Sequence, residues 1–166
     1  MAPDHDVLAR LRVADGYDPN PQVIGEAATV DQLLERLGEG EQTAFPVVDP
    51  ALRLVGMITL ADLGRIAKNA RELAPLLIAA DLALPTETLR LDDSLLTATR
   101  RMGVRGTGTL PVVDEASGRL LGMVTRANVL ALYQRALAGA HQDTDAGEPS
   151  DGAGGAVCPR ARGDSG

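Results

Sequence analysis

Phe45-Pro46-Val47-Val48-Asp49 runs on to Gly56-Met57-Ile58-Thr59-Leu60-Ala61-Asp62, and the pattern returns as Leu110-Pro111-Val112-Val113-Asp114 running on to Gly122-Met123-Val124-Thr125-Arg126-Ala127-Asn128. Pro46 maps onto Pro111 at an offset of 65 and Gly56 onto Gly122 at 66, so the second copy carries one extra residue in the turn after Asp114. Each copy reads as two short apolar strands close enough in sequence to pair as a hairpin. Self-similarity at a fixed spacing points to a repeated structural unit.

Upstream of the hairpin the apolar spacing is helical. Val30, Leu33, Leu34 and Leu37 recur at i, i+3, i+4 and i+7, with Thr29 as N-cap and Gly38 as a stop. In the second copy Ser94 caps, Leu95, Ala98 and Met102 form the stripe, and Gly103 ends it. Downstream, a second helix opens at Thr59 with Leu63, Ile66 and Ala67, or at Thr125 with Val129, Leu132, Tyr133 and Leu137. With a first strand at 22–24 or 88–91, each repeat reads β-α-β-β-α. A unit of about 60 residues buries too little apolar surface to be comfortable alone. The expectation is therefore an α+β fold in which two repeats pack face to face about a pseudo-two-fold axis, joined by the linker 71–84.

The boundaries follow as an arm over 1–17, repeats over 18–78 and 79–138, and a tail over 139–166. Val7, Leu8 and Leu11 give the arm a short amphipathic piece, and Pro19 and Pro21 forbid a helix after it. Any helix there should rest on the domain surface. The tail, rich in Gly, Ala, Asp, Ser and Pro, has no periodicity and is expected to be disordered.

Composition narrows the function. The 166 residues are 45% apolar, but the longest apolar run, 73–84, is interrupted by Pro75 and Asp81. It is too short to span a bilayer, and no signal-peptide pattern opens the chain, so a cytoplasmic location is expected. Cys158 is the only cysteine and His5 and His141 lie outside the repeats, which leaves their interior without the usual general base or metal ligands. A formal charge of −7 argues against nucleic-acid binding, and 2% aromatics offer little base stacking. Asp4-His5-Asp6 reads as a solvated arm, Arg100, Arg101 and Arg105 as exposed helix arginines, and Arg162-Gly163-Asp164 as a chance tripeptide. No nucleophile with a base, metal cluster or P-loop is present in the pattern, so catalysis is not expected.

Duplicated Pro-Val-Val-Asp strands followed by Gly-hydrophobic-hydrophobic-Thr-x-x-Asp resemble a tandem pair of cystathionine-β-synthase (CBS) domains, the Bateman module, over about residues 18–138. The linker Glu72-Leu73-Ala74-Pro75-Leu76-Leu77-Ile78-Ala79-Ala80-Asp81-Leu82 resembles, less specifically, the segment joining the CBS pair of bacterial voltage-gated-type chloride channels. The resemblance implies a regulatory module that binds an adenine nucleotide (ATP, ADP or AMP), needs no cofactor, homodimerises through its second helices and acts on a channel or another effector.

The residues themselves allow that chemistry. Gly56 and Gly122 lack a Cβ, so a ligand or another backbone can come close. Thr59 and Thr125 open helices whose free amides attract phosphate. Asp62 can accept from both hydroxyls of a ribose, and the backbone before Pro46 or Pro111 can read adenine's polar edge. A plainer reading stands beside this one, because Thr followed three residues later by Asp is also a capping box.

By resemblance, one cleft would join Thr59 and Asp62 to Thr86, Thr107, Gly108, Thr109, Leu110 and Val112. The other would join Thr125, Arg126 and Asn128 to Pro21, Gln42, Thr43, Phe45 and Val47. The second departs from the family pattern: Asn128 replaces the ribose-binding carboxylate, and Pro21 stands where the first cleft has Thr86. A hydrogen bond to a charged acceptor is worth about 1.5–3 kcal/mol against about 1 for a neutral one, so the Asn128 cleft should hold a ribose about ten-fold more weakly. The Asp62 cleft is the expected site; Arg126 and the missing carboxylate leave the other as a triphosphate site or empty. Rival readings are an assembly module with empty clefts, or a sensor of S-adenosylmethionine or a cyclic dinucleotide.

Overall fold

The computed structural model describes residues 3–36, 40–105 and 107–147. Both hairpins form as the alternation demands. β2 (Ala44–Val48) pairs antiparallel with β3 (Leu54–Thr59), placing Phe45 opposite Ile58 and Val47 opposite Gly56. β4 (Thr109–Val113) pairs with β5 (Leu120–Thr125) in the same register, Leu110 opposite Val124 and Val112 opposite Gly122. Each hairpin shifts register at its paired valines, between Val47 and Val48 or between Val112 and Val113. The inward positions Phe45, Val47 and Ile58, and Leu110, Val112 and Val124, are buried and seed two separate cores.

The first strands are shorter than their sequence suggests. β1 (Ile24–Gly25) pairs parallel with Val47 and Val48, and its counterpart shrinks to one bridge between Leu89 and Val112. Proline on the approach supplies no donor, at Pro21 or at Pro85. Beyond Gly25 the chain turns at once, Ala28 N donating to Gly25 O at 3.1 Å.

The helices start where the caps predict. α2 (Val30–Arg36) opens on a reciprocal box between Thr29 and Gln32, at 3.2 and 3.1 Å. Leu37 and Gly38, the expected last apolar residue and stop, lie outside the described residues. α5 (Leu95–Arg105) opens on Ser94, whose Oγ accepts from Thr97 N at 3.1 Å. Gly103 does not end this helix, which runs on to Arg105. Leu95, Ala98 and Met102 are buried and anchor it, and burial outweighs the roughly 1 kcal/mol by which glycine disfavours a helix interior. α3 (Leu60–Asn69) follows β3 directly.

α6 (Arg126–Gly147) continues past Gly139, where the apolar pattern stops. The first compact unit ends at Tyr133, and the rest of α6 belongs to a second unit beginning at Gln134. The remaining tail, with Cys158 and Arg162-Gly163-Asp164, lies outside the described residues. No described helix is long and apolar enough to cross a membrane.

The arm's helix rests on the domain surface, but the turn that follows it is inserted into a core. α1 (Pro3–Arg10) packs on α5, and Val13, in a 3-10 turn over Val13–Asp15, is fully buried in the second repeat's core beside Leu8, Leu11 and Tyr17. Asp18 then pairs with β5 at the edge, donating to Met123 O at 2.7 Å and accepting from Met123 N at 2.9 Å. The linker does the same for the first repeat. Ala74 and Ala79, the latter in α4 (Ala79–Leu82), are buried in its core, and Leu84 exchanges two hydrogen bonds with Met57 at 2.9 and 3.0 Å. Each hairpin is thus completed by the segment preceding the other repeat.

The turn ends lock the same pair of hairpins. Leu54 N donates to Gly118 O at 3.1 Å, and Leu120 N donates to Leu52 O at 2.9 Å. Gly118 has φ 75°, the left-handed region glycine enters freely; Leu52, at the matching position, is forced to φ 67°. At the head of each turn an aspartate gathers amide donors. Arg53 N, with help from its guanidinium, holds the Asp49 carboxyl below the usual carboxylate range, and the Ser117 hydroxyl does so for Asp114.

Candidate functional site

Thr59 ends β3 and caps α3, so the strand delivers the helix start to the sheet's edge. Its Oγ1 accepts from Asp62 N at 3.1 Å, and Thr59 N donates to Asp62 Oδ2 at 3.2 Å. The capping box is therefore formed. Leu60 N is also engaged, with Thr43 O at 2.9 Å, so of the first-turn amides only Ala61 N remains to meet a phosphate. The other oxygen of Asp62 takes the Arg65 guanidinium, one turn along the same helix face. A carboxylate oxygen has two lone pairs, so the pairing still leaves Asp62 able to accept from a ribose.

Around Asp62 lies an open cleft of about 180 Å³, lined by Thr59, Asp62, Thr86, Thr107 and Thr109 together with Ala44, Met57, Leu84 and Pro85. Five of the eight residues assigned to this cleft from sequence share one wall system drawn from both repeats. Leu110 and Val112 are not on it, because their side chains point into the second core and are fully buried. Gly108 faces away as well. A Cβ there would stand 3.3 Å from Nε of Arg126, whose own N–H donates to Gly108 O at 2.8 Å.

The second set of residues does not gather around one cavity. Phe45 and Val47 are buried in the first core. Thr43 serves α3 through its carbonyl. Pro21 borders a different hollow of about 250 Å³, shared with Pro19, Val23, Leu52 and Leu120. Thr125 and Asn128 form their own capping box, at 2.9 and 3.1 Å. Arg126 is turned toward the loop of the first cleft and edges an apolar cavity of about 340 Å³ with Thr99, Met102, Gly103, Thr107 and Val129. Gln42 spends its amide on Gln22 and Ala44.

Backbone, rather than ligand, is what approaches the two motif glycines. A Cβ on Gly56 would meet Leu84 O at 2.8 Å, and one on Gly122 would meet Asp18 O at 2.2 Å. The outlying candidates are likewise committed: Arg100 meets the His5 ring at 3.2 Å, and Arg101 bonds Thr88 O and Asp93.

Sequence reasoning missed Leu84 and Pro85 as cleft walls, although Pro85 repeats Pro19 at the offset of the motif itself. It also missed Arg65. An arginine three residues beyond an aspartate on a helix is a recognisable pair, and that spacing was the available signal.

The comparisons with known proteins agree with this fold. The CBS domain family matches the chain twice, over residues 14–68 and 79–135. A solved structure, CBSX2 in complex with AMP, is 30% identical, with a TM-score of 0.68 over 76% of this chain and 98% of that one. The CBS domain of a bacterial CNNM/CorC family Mg2+ transporter in complex with ATP is 20% identical and shares the fold, with a TM-score of 0.67 over 79% of this chain and 92% of that one. Homoserine O-acetyltransferase of Methanosphaera stadtmanae is 27% identical over 129 residues, 77% of this chain. The chain spans about a quarter of the length of the curated relatives it matches, 25% in that case.

Proposed function

Since the chain belongs to the CBS domain family, as a tandem pair, we propose that it is a nonenzymatic regulatory module that binds an adenine nucleotide in the Asp62 cleft. The observation that carries the reading is the cleft itself, lined by Asp62 and by Thr59, Thr86, Thr107 and Thr109, residues drawn from both repeats. Asp62 accepts from the ribose, the start of α3 and the threonine hydroxyls face the phosphate, and adenine enters along the edge of Ala44 and Leu84. That CBSX2, a relative of similar extent, is solved with AMP supports the ligand class.

Ligand state becomes output because the cleft is built across the repeats. A nucleotide that touches Asp62 on one side and Thr107 on the other favours one angle between them, and a population shift follows. Leu130 of α6 is 55% exposed, which supports homodimerisation through the second helices. The regulated effector lies outside the described residues, as a channel or as an enzyme of the kind the curated relatives are named for.

The test is thermal unfolding with ATP, ADP, AMP, S-adenosylmethionine and a cyclic dinucleotide at millimolar concentration. Ligand at a hundred times its dissociation constant adds about 2.7 kcal/mol, a rise on the order of 5–10 °C at this size. The rise should vanish in Asp62→Ala, which should lose only about 1 kcal/mol of capping when unliganded. Unchanged melting with every ligand would sink the nucleotide reading and leave an assembly module.

A further inference from the structure

We propose that the Asn128 cleft is closed from within by the side chain of Gln42, so that each chain takes one adenosine ligand, in the Asp62 cleft. This rests on the nucleotide reading above and adds its stoichiometry. Gln42 stands just before β2, where an adenine would have to meet strand-edge backbone. Its carboxamide is already there. Gln22 N donates to Gln42 Oε1 at 2.9 Å, while Gln42 Nε2 donates to Gln22 O at 2.8 Å and to Ala44 O at 2.9 Å.

The chemistry of the two groups is the same. A carboxamide offers an NH2 donor beside a carbonyl acceptor, and adenine offers its amino donor beside a ring-nitrogen acceptor. The single hydrogen of Gln22 N is taken, and the carboxamide stands in front of the Gln22 and Ala44 carbonyls, so a base would have to displace it to reach them. The orientation of the amide is fixed by its partners, since a flip would set Oε1 against two carbonyl oxygens. The side chain therefore bridges the start of the first repeat, just after Pro21, to the first residue of β2, the two walls between which a base would slide.

The other repeat shows the same place without the glutamine. Thr107 stands 65 residues on, and its hydroxyl bonds the backbone of Thr109, donating to Thr109 O at 3.2 Å and accepting from Thr109 N at 3.4 Å. A threonine is too short to bridge to the segment around Thr86, and there the cleft of about 180 Å³ opens, with Thr107 and Thr109 on its wall. One position thus decides whether the walls are stapled or parted. Asn128, in place of Asp62, is consistent with a cleft that no longer holds a ribose.

Isothermal titration calorimetry of the full chain with AMP, and separately with ATP, tests this directly. Wild type should bind one ligand per chain. Gln42→Thr, which copies the other repeat, should bind two, the second about ten-fold more weakly because Asn128 is the acceptor. Two ligands in wild type would overturn the proposal, as would a cooperatively melting Gln42→Thr that still binds one. Should that variant fail to fold, Asp62→Ala decides. Binding retained at wild-type affinity would place the ligand in the other cleft and overturn the proposal; lost binding supports it. Failure of wild type and Gln42→Thr alike to bind either nucleotide would be failure of the nucleotide reading itself.

Discussion

Gly122→Ala tests the exchange of edge segments most directly. The new methyl would sit 2.2 Å from Asp18 O and 2.7 and 2.9 Å from two ring carbons of Tyr17. Neither neighbour is the free end of a flexible side chain, so the arm has to back away from β5 by roughly 1 Å to restore van der Waals distance. The movement breaks the pair of bonds between Asp18 and Met123, at about 1 kcal/mol each, and overpacking of this kind costs about 1–3 kcal/mol in all. The expected loss is about 3 kcal/mol, near 6–12 °C in Tm for a chain of this size.

Gly56→Ala should cost about half as much, because its nearest neighbours, Leu84 O and the Ala83 Cβ, stand at 2.8 and 3.0 Å. Gly64→Ala, on α3 with nothing within 4 Å, should stabilise by about 0.5–1 kcal/mol through helix propensity. Urea unfolding followed by circular dichroism, with unchanged m, reads all three. A Gly122→Ala midpoint within about 0.5 kcal/mol of wild type would refute the reasoning and return the glycine to the ligand.

Two further outcomes follow from the hairpin turns. Leu52→Gly should raise stability by about 0.5–1 kcal/mol, since relief of roughly 1–2 kcal/mol of left-handed strain exceeds the extra freedom given to the unfolded chain; a lowered urea midpoint would show that the exposed Leu52 side chain matters more. Asp49 and Asp114 have folded pKa values below the ordinary 3.8, so what they contribute is present above that value and is lost as pH falls through the depressed ones. An Asp49→Asn, Asp114→Asn double variant should lower Tm at neutral pH, where both carboxylates contribute, and converge on wild type in acid, so that the limb below about pH 4 is flattened; an unaltered acid limb would contradict this.

How much of this was legible in the sequence depended on the range of the forces involved. The hairpins and caps were readable because their determinants are local: alternation places Phe45, Val47 and Ile58 on one face, and Thr59 bonds a residue three positions away. Alternation also explains why the Leu110 and Val112 side chains turn into the second core, although both residues belong to the motif that forms the cleft. The exchanged arm was hidden because its partner, Met123, is more than a hundred residues distant. Even so, Ala14-Asp15-x-x-x-Pro19 repeats Ala80-Asp81-x-x-x-Pro85, and Asp15 and Asp81 hold matching turns at Arg12 N and Ile78 N. Carrying the offset back into the arm was the available signal. Gln42 gave none, since what an amide bonds depends on its rotamer and on backbone twenty residues away.

The exchange bears on how a bound ligand is sensed. Residues 18–78 lack Ala79 and Leu84, which their hairpin needs, and residues 79–138 lack Val13, which their core needs. Neither repeat is therefore a complete folding unit within those bounds. The cleft is walled by Leu84, Pro85 and Thr86, the very segment that crosses from one repeat to close the other. A ligand seated there presses on the same strand edge that Met57 holds by two hydrogen bonds. Binding and the locking of the two repeats then draw on one set of contacts, so a ligand cannot occupy the cleft without stabilising a particular arrangement of the pair.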